Sequence, residues 1–191
     1  MPDLIKEINI KMKRKSNSEI NRLTREAITT ALLKLLKCQQ LDQISISSIV
    51  QLAGVSRTAY YNNYHSKIEV LNDLIDNFIN DINTSLQPYN AKTSGKLNQP
   101  YQFIYTLFKT VYQHRTLYKI LINANLSHQI LKQLNILMVL YLPAETDNEK
   151  YNVYFQAGAI FNVLTLWIEN GAKGSCEHMA QLFSQQYGNV N

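Results

Sequence analysis

Cysteine is scarce in this chain: Cys38 and Cys176 are the only two among 191 residues. Two thiols so far apart build no disulfide framework, and they fit a reducing compartment. Glycine, at six residues, and proline, at four, are too sparse for a collagen-like or low-complexity chain. Long apolar runs are missing: the longest unbroken one, Ile136 to Leu142, falls far short of the ~20 residues a membrane helix needs. The N-terminal stretch interleaves Asp3, Lys6, Glu7 and Asn9 with apolar side chains, so it lacks the continuous core of a secretory signal. A cytoplasmic protein without membrane contact is expected. There is no Gly-rich phosphate loop, nucleophile elbow or paired-carboxylate motif, so neither an enzyme nor a cofactor is expected.

Apolar residues make up 46% of the chain, enough for a substantial core. The net charge is +5, unevenly distributed. Residues 1–67 hold 11 Lys/Arg against 5 Asp/Glu, whereas residues 68–191 hold 8 against 9. The basic excess belongs to the first third, the asymmetry expected if that part meets a polyanion and the rest does another job.

Residues 1–20, with Lys11, Lys13, Arg14 and Lys15, show few regularly spaced apolar positions and read as a basic flexible arm; such a run is more often a solvated tail than a specific reader, though it could add salt-dependent affinity for a polyanion. Leu23, Ala27, Ile28, Ala31, Leu32, Leu35 and Leu36 then form one stripe on a helix ending near Cys38 to Gln40. Ser45 suits the N-cap of a short helix, Ile46 to Ala53, which Gly54 breaks; Ser56 suits the cap of another, Arg57 to about Asn63. Ser66-Lys67-Ile68-Glu69 is a capping box opening a long fourth helix that fades by Gln87-Pro88. Tyr89 to Pro100 has loop composition. Further helices fit 101–114, 116–123, 127–142, 149–170 and 175–187, and no alternating strand pattern or repeat is visible. The expected fold is all-α, about nine helices. The arm leads into a helix-turn-helix DNA-binding domain at 21–66 and a helical effector-binding and dimerisation domain at 67–191.

Short helix, Ala-Gly-Val turn and short polar helix make a helix-turn-helix pattern, in which Gly54 permits a backbone geometry costly to other residues and Val55 plugs the angle between the helices. The second short helix offers Arg57, Thr58, Ala59, Tyr60 and Asn62 to base edges and thymine methyls in a major groove. Leu41 to Leu71 resembles the tetracycline-repressor (TetR) family of bacterial transcription regulators. The resemblance is carried by the Ile-Ser cap, Ala53-Gly54-Val55-Ser56, the Tyr61-x-x-Tyr64 pair and Ser66-Lys67. Tyr154 to Phe183, with Gly158, Trp167 to Gly171 and Met179-Ala180-x-Leu182, is similar to the C-terminal part of one subgroup.

The resemblance implies Ser45 and Ser47 near phosphates, Arg57, Thr58 and Tyr60 near bases, and Tyr61, His65 and Lys67 on the DNA backbone. Lys67 also lies beside a helix N-terminus, where free amides favour a phosphate. Tyr64 stands where the family usually has Phe, and the Asn62-Asn63 pair is unusual, which leaves the operator sequence open.

The helix around Ala157 to Ile168 carries too much apolar surface for one buried face. A homodimer is therefore expected through Gly158, Phe161, Leu164 and Ile168 with Met179, Leu182 and Phe183, placing two reading helices about 34–36 Å apart on a near-palindromic operator. Phe103, Phe108, Tyr112, Tyr118, Ile122 and Trp167 are candidate linings of an effector pocket, each residue more commonly plain core. The fourth helix joins the two halves and is the natural lever for a response. The expected function is a DNA-binding regulator, a repressor released by a small effector; the alternatives are an activator or an interaction module docking a partner protein. Cys176-x-His178 raises a minor metal-sensor alternative, but positions i and i+2 of a helix point apart, so no metal site is expected.

Overall fold

The structure is a computed structural model that describes the backbone of residues 2–89, 99–142 and 144–188. Its described residues form nine α-helices: α1 (Pro2–Leu36), α2 (Ile46–Ala53), α3 (Arg57–Tyr61), α4 (Lys67–Leu86), α5 (Pro100–Gln113), α6 (Arg115–Asn123), α7 (Ser127–Tyr141), α8 (Asp147–Glu169) and α9 (Cys176–Gly188). Single 3-10 turns occupy Leu41–Gln43 and Gln87–Tyr89. The fold is all-α, and no strand occurs among the described residues. Most of Tyr89 to Pro100, expected as a loop, lies outside the described residues.

α1 begins at Pro2, so the stretch expected as an arm is continuous with the first helix. Proline at the first helical position needs no intrahelical amide partner, and residues 3–36 contain neither glycine nor proline to interrupt the ladder. The side chains of Lys11, Lys13, Arg14 and Lys15 lie outside those described.

The chain divides into two compact units, Met1–Leu74 and Ile75–Asn191. The division falls inside α4, eight residues beyond the expected boundary after residue 66. Asp73 explains the shift. Its carboxylate accepts a hydrogen bond from Arg25 Nη2 of α1 at 2.7 Å and another from the Tyr64 hydroxyl, which ties the first turns of α4 to the first unit.

In the first unit, α1 contributes Ile28, Ala31 and Leu32 to the core, α2 contributes Ile49 and Val50, and Ile44, Tyr60 and Tyr64 complete it. Both short helices start on serine caps: Ser45 Oγ accepts from Ser48 N and Ser56 Oγ from Ala59 N, each at 3.0 Å. Each cap satisfies an amide that a helix start leaves unpaired. Gly54 ends α2 at φ +67°, the left-handed geometry that glycine adopts without penalty.

In the second unit α5 packs on α9 and α7 on α8. Phe103, Ile104, Leu107 and Phe108 of α5 and Ala157, Ile160, Leu164 and Ile168 of α8 are buried. α8 opens on a reciprocal capping box. Thr146 Oγ1 accepts from Glu149 N at 3.3 Å, and Glu149 Oε2 accepts from Thr146 N at 2.8 Å. It ends in a tight turn where Gly171 and Ala172 have φ of +80° and +53°, and Trp167 Nε1 donates to Lys173 O at 3.0 Å.

Candidate nucleic-acid interface

The two faces of α3 do different work. Tyr60 and Tyr64 turn inward, fully or almost fully buried, with ring centroids 6.2 Å apart. Arg57, Thr58, Tyr61 and Asn62 are exposed, and Ala59 and Asn63 are half-buried. Tyr61 lies edge-on to Tyr60, at 87° and 5.5 Å. Asn63 Nδ2 donates to Ala59 O at 2.8 Å and closes the helix end. What remains outward is a cation, a hydroxyl, a phenol and an amide. These are groups that hydrogen-bond to base edges or phosphates.

Arg57 is anchored. Its Nη2 donates to Ser47 Oγ of α2 at 2.5 Å, so a single hydrogen bond spans the helix-turn-helix. Ser45 and Ser47 are exposed on α2, and His65 is exposed before α4, its backbone amide donating to Glu69 Oε2 at 2.8 Å.

Two residues placed near DNA by resemblance sit otherwise. Tyr60, expected among the base contacts, is buried, because the i, i+4 pair Tyr60 and Tyr64 supplies the aromatic plug of this small unit. Its hydroxyl is buried without a hydrogen-bond partner among the described residues, and burial, followed by neighbouring Tyr61 and Glu69, pushes its pKa up to about 12. Lys67, expected on the DNA backbone, turns its ammonium to the carbonyls of Leu41 at 2.5 Å, Ile44 at 2.9 Å and Asp42 at 3.2 Å. It caps the turn between α1 and α2. A strongly hydrated ammonium gives up water for three carbonyl oxygens only when they converge, which the 3-10 turn arranges.

One cluster had no sequence signal. The Arg25 guanidinium lies 4.7 Å over the Tyr64 ring while Arg25 and the Tyr64 hydroxyl both bond to Asp73. These positions are 39 and 9 residues apart, so periodicity cannot join them. The network raises the Tyr64 pKa, burial first and Asp73 second.

The residues expected to line an effector pocket are built into the second unit's core. Phe103 meets Tyr141, Phe108 meets Trp167 and Phe183, and Tyr118 meets Phe78 and bonds Thr165 Oγ1 at 2.7 Å. Trp167 is also anchored by its indole bond, Ile122 is half-buried, and Tyr112 is partly exposed under the Arg115 guanidinium. A shallow open groove of about 330 Å³ does occur in the first unit, lined by residues such as Leu23, Ala27, Ala31 and Leu52.

Of the expected dimer residues, Leu164, Ile168 and Met179 are buried within the subunit, which removes them from a face toward a second copy. Gly158, Phe161 and Phe183 are half-buried and Leu182 is exposed. The exposed apolar residues of α8 are instead Tyr151, Tyr154, Phe155 and Leu166, with Tyr151 73% and Phe155 76% exposed. The apolar excess of α8 implies a second apolar face, but not which one its own subunit covers. Cys176 is half-buried at the start of α9, its pKa raised first by burial, and His178 is exposed. Among the described residues no three His, Cys, Asp or Glu side chains gather as a metal site.

Residues 98–186 match the family profile described as a transcriptional regulator C-terminal region of the TetR type. Over 160 residues the chain is 23% identical to the uncharacterized HTH-type transcriptional regulator YxbF of Bacillus subtilis (strain 168), covering 81% of this chain. The C-terminal half of the chain is similar to the TetR type of regulator. The chain spans 42% of the length of that curated relative. Among solved structures it is similar to the dihydroxyacetone kinase operon activator DhaS, with a TM-score of 0.60 and 22% identity over 85% of this chain and 93% of that one. That likeness shows a shared fold. No helix among the described residues is long and apolar enough to cross a membrane.

Proposed function

We propose that this TetR-type regulator binds a near-palindromic operator sequence-specifically as a homodimer in the cytoplasm, represses the genes beside it, and is released by an effector. The observation that carries the reading is the division of α3. Tyr60 and Tyr64 hold the helix to its unit, and Arg57, Thr58, Tyr61 and Asn62 are left for the groove. Ser45 and His65, both exposed, flank it for phosphates. Tyr60 and Lys67 drop out of the contact set. Dimerisation uses the exposed apolar residues of α8 together with Leu182 of α9, because an apolar face of this kind is unfavourable in water unless covered.

The test is binding to duplexes selected from a random pool. Arg57→Ala should weaken the selected duplex by about 1–3 kcal/mol and flatten its discrimination at one base pair. Equal losses on selected and scrambled duplexes would remove Arg57 from the reading role.

A second reading, activation through a partner protein bound by the second unit, is supported by two observations. The similar fold DhaS carries the name of an operon activator, and the aromatic residues considered for an effector pocket pack on one another. Reporter transcription from the bound promoter, with and without the regulator, separates the two: a rise with the regulator present favours activation.

A further inference from the structure

The resemblance assigned Ser47 a place near phosphate. We propose instead that Ser47 is a positioning residue for Arg57, orienting its guanidinium for base reading. The inference rests on the proposed reading role of α3.

Of the three serines that open α2, two are occupied with each other. Ser45 Oγ accepts from Ser48 N at 3.0 Å and lies 3.2 Å from Ser48 Oγ, which donates to Ser45 O at 2.7 Å. Ser47 takes no part in that cap. Its oxygen accepts from Arg57 Nη2, ten residues along and at the first position of α3. The bond therefore links the first turn of one short helix to the first turn of the next, across the Gly54 turn.

The partner chosen is chemically apt. An exposed arginine side chain loses considerable rotamer freedom when it engages a base, and a fixed acceptor removes part of that loss beforehand. A carboxylate would hold it more tightly but would neutralise it and compete with guanine O6 and N7. A hydroxyl orients the guanidinium and leaves its charge intact. Residues 43–66 contain no Asp or Glu, so no carboxylate in the helix-turn-helix competes with Ser47. With one N–H of Nη2 engaged, four of the five donors remain for a base and a phosphate.

The experiment is a double-mutant cycle on the full-length chain. Wild type, Ser47→Ala, Arg57→Ala and the double variant are titrated against the selected duplex and against a scrambled duplex of the same length, with thermal melts run alongside. Ser47→Ala should weaken the selected duplex about five- to tenfold, leave the scrambled duplex nearly unchanged, and cost nothing further once Arg57 is alanine. Ser47→Thr, which keeps the hydroxyl, should retain most of the wild-type discrimination. Equal loss on both duplexes would make Ser47 a phosphate contact only, and loss undiminished in the Arg57→Ala background would make it independent of the arginine. No loss at all would show that the bond orients nothing. Any of these results overturns the proposal while leaving α3 as the reader. If wild-type protein itself binds both duplexes alike, the reading role of α3 fails first and takes this proposal with it.

Discussion

The chemistry of Tyr60 fits its surroundings poorly. A phenol hydroxyl buried without a partner loses its water and gains nothing in exchange, a cost of about 1–3 kcal/mol. Tyr60→Phe should therefore leave the melting temperature unchanged or raise it; a large fall would mean that the hydroxyl has an unseen partner. The same burial has an alkaline consequence. Tyr60 and Tyr118 are pushed up from about 10 to about 12, first by desolvation. Folding holds their protons, so their contribution is complete below pH 10 and is lost as pH rises from 10 toward 12, where the unfolded chain ionises and the folded chain does not. Phenolate absorbance during an alkaline titration should show tyrosines that ionise only with unfolding, and one fewer in Tyr60→Phe. Ala172 offers the opposite case. It holds φ +53° in the turn after α8, a left-handed geometry that costs a residue with a Cβ about 1 kcal/mol. Ala172→Gly relieves that cost and loses only the entropy of a freer unfolded chain, so a small net gain in stability is expected from denaturant melts.

At the scale of elements, Lys67 decides how the link from α1 to α2 is held. Its three carbonyl contacts make it a cap on that turn, so Lys67→Ala should lower stability by about 1–2 kcal/mol. Its effect on DNA binding should disappear when the protein is compared well below its melting temperature. A persistent, salt-dependent loss on all DNA would return Lys67 to the phosphate contacts. The box that opens α8 has an acid signature. Hydrogen bonds from Thr146, the backbone one first, hold the exposed Glu149 carboxyl below its ordinary value near 4.5. That contribution is present above pH 4.5 and fades as pH falls through the lowered value. The helices themselves were legible in advance. The expected 101–114, 116–123, 127–142, 149–170 and 175–187 became Pro100–Gln113, Arg115–Asn123, Ser127–Tyr141, Asp147–Glu169 and Cys176–Gly188. Caps and apolar period are local, so sequence reports them. The extent of α1 was not legible, since residues 2–20 show little apolar patterning and their helical propensity is a weak signal.

For the whole molecule, the proposed homodimer needs a surface for a second copy. If the outward side of α8 supplies it, Phe155→Glu should give a monomer by sedimentation, with operator affinity down on the order of 100-fold as the second half-site ceases to be held close. Leu164→Ala should instead lower stability and leave the association state alone, because Leu164 is buried in its own subunit. A dimer undisturbed by Phe155→Glu would move the interface elsewhere.

The amino-acid order by itself determined the helices after α1, the serine caps of the two short ones, the Gly54 break and their pairing into a helix-turn-helix, because each depends on residues within one or two turns of each other. It also determined that α8 has two apolar faces. Which of those faces lies inside, that Tyr60 turns inward beside Tyr64, that Lys67 closes a turn, and that Arg25, Tyr64 and Asp73 meet were decided by tertiary structure alone. A side chain's direction, unlike its helix, is set by whichever distant neighbour removes it from water or answers its charge.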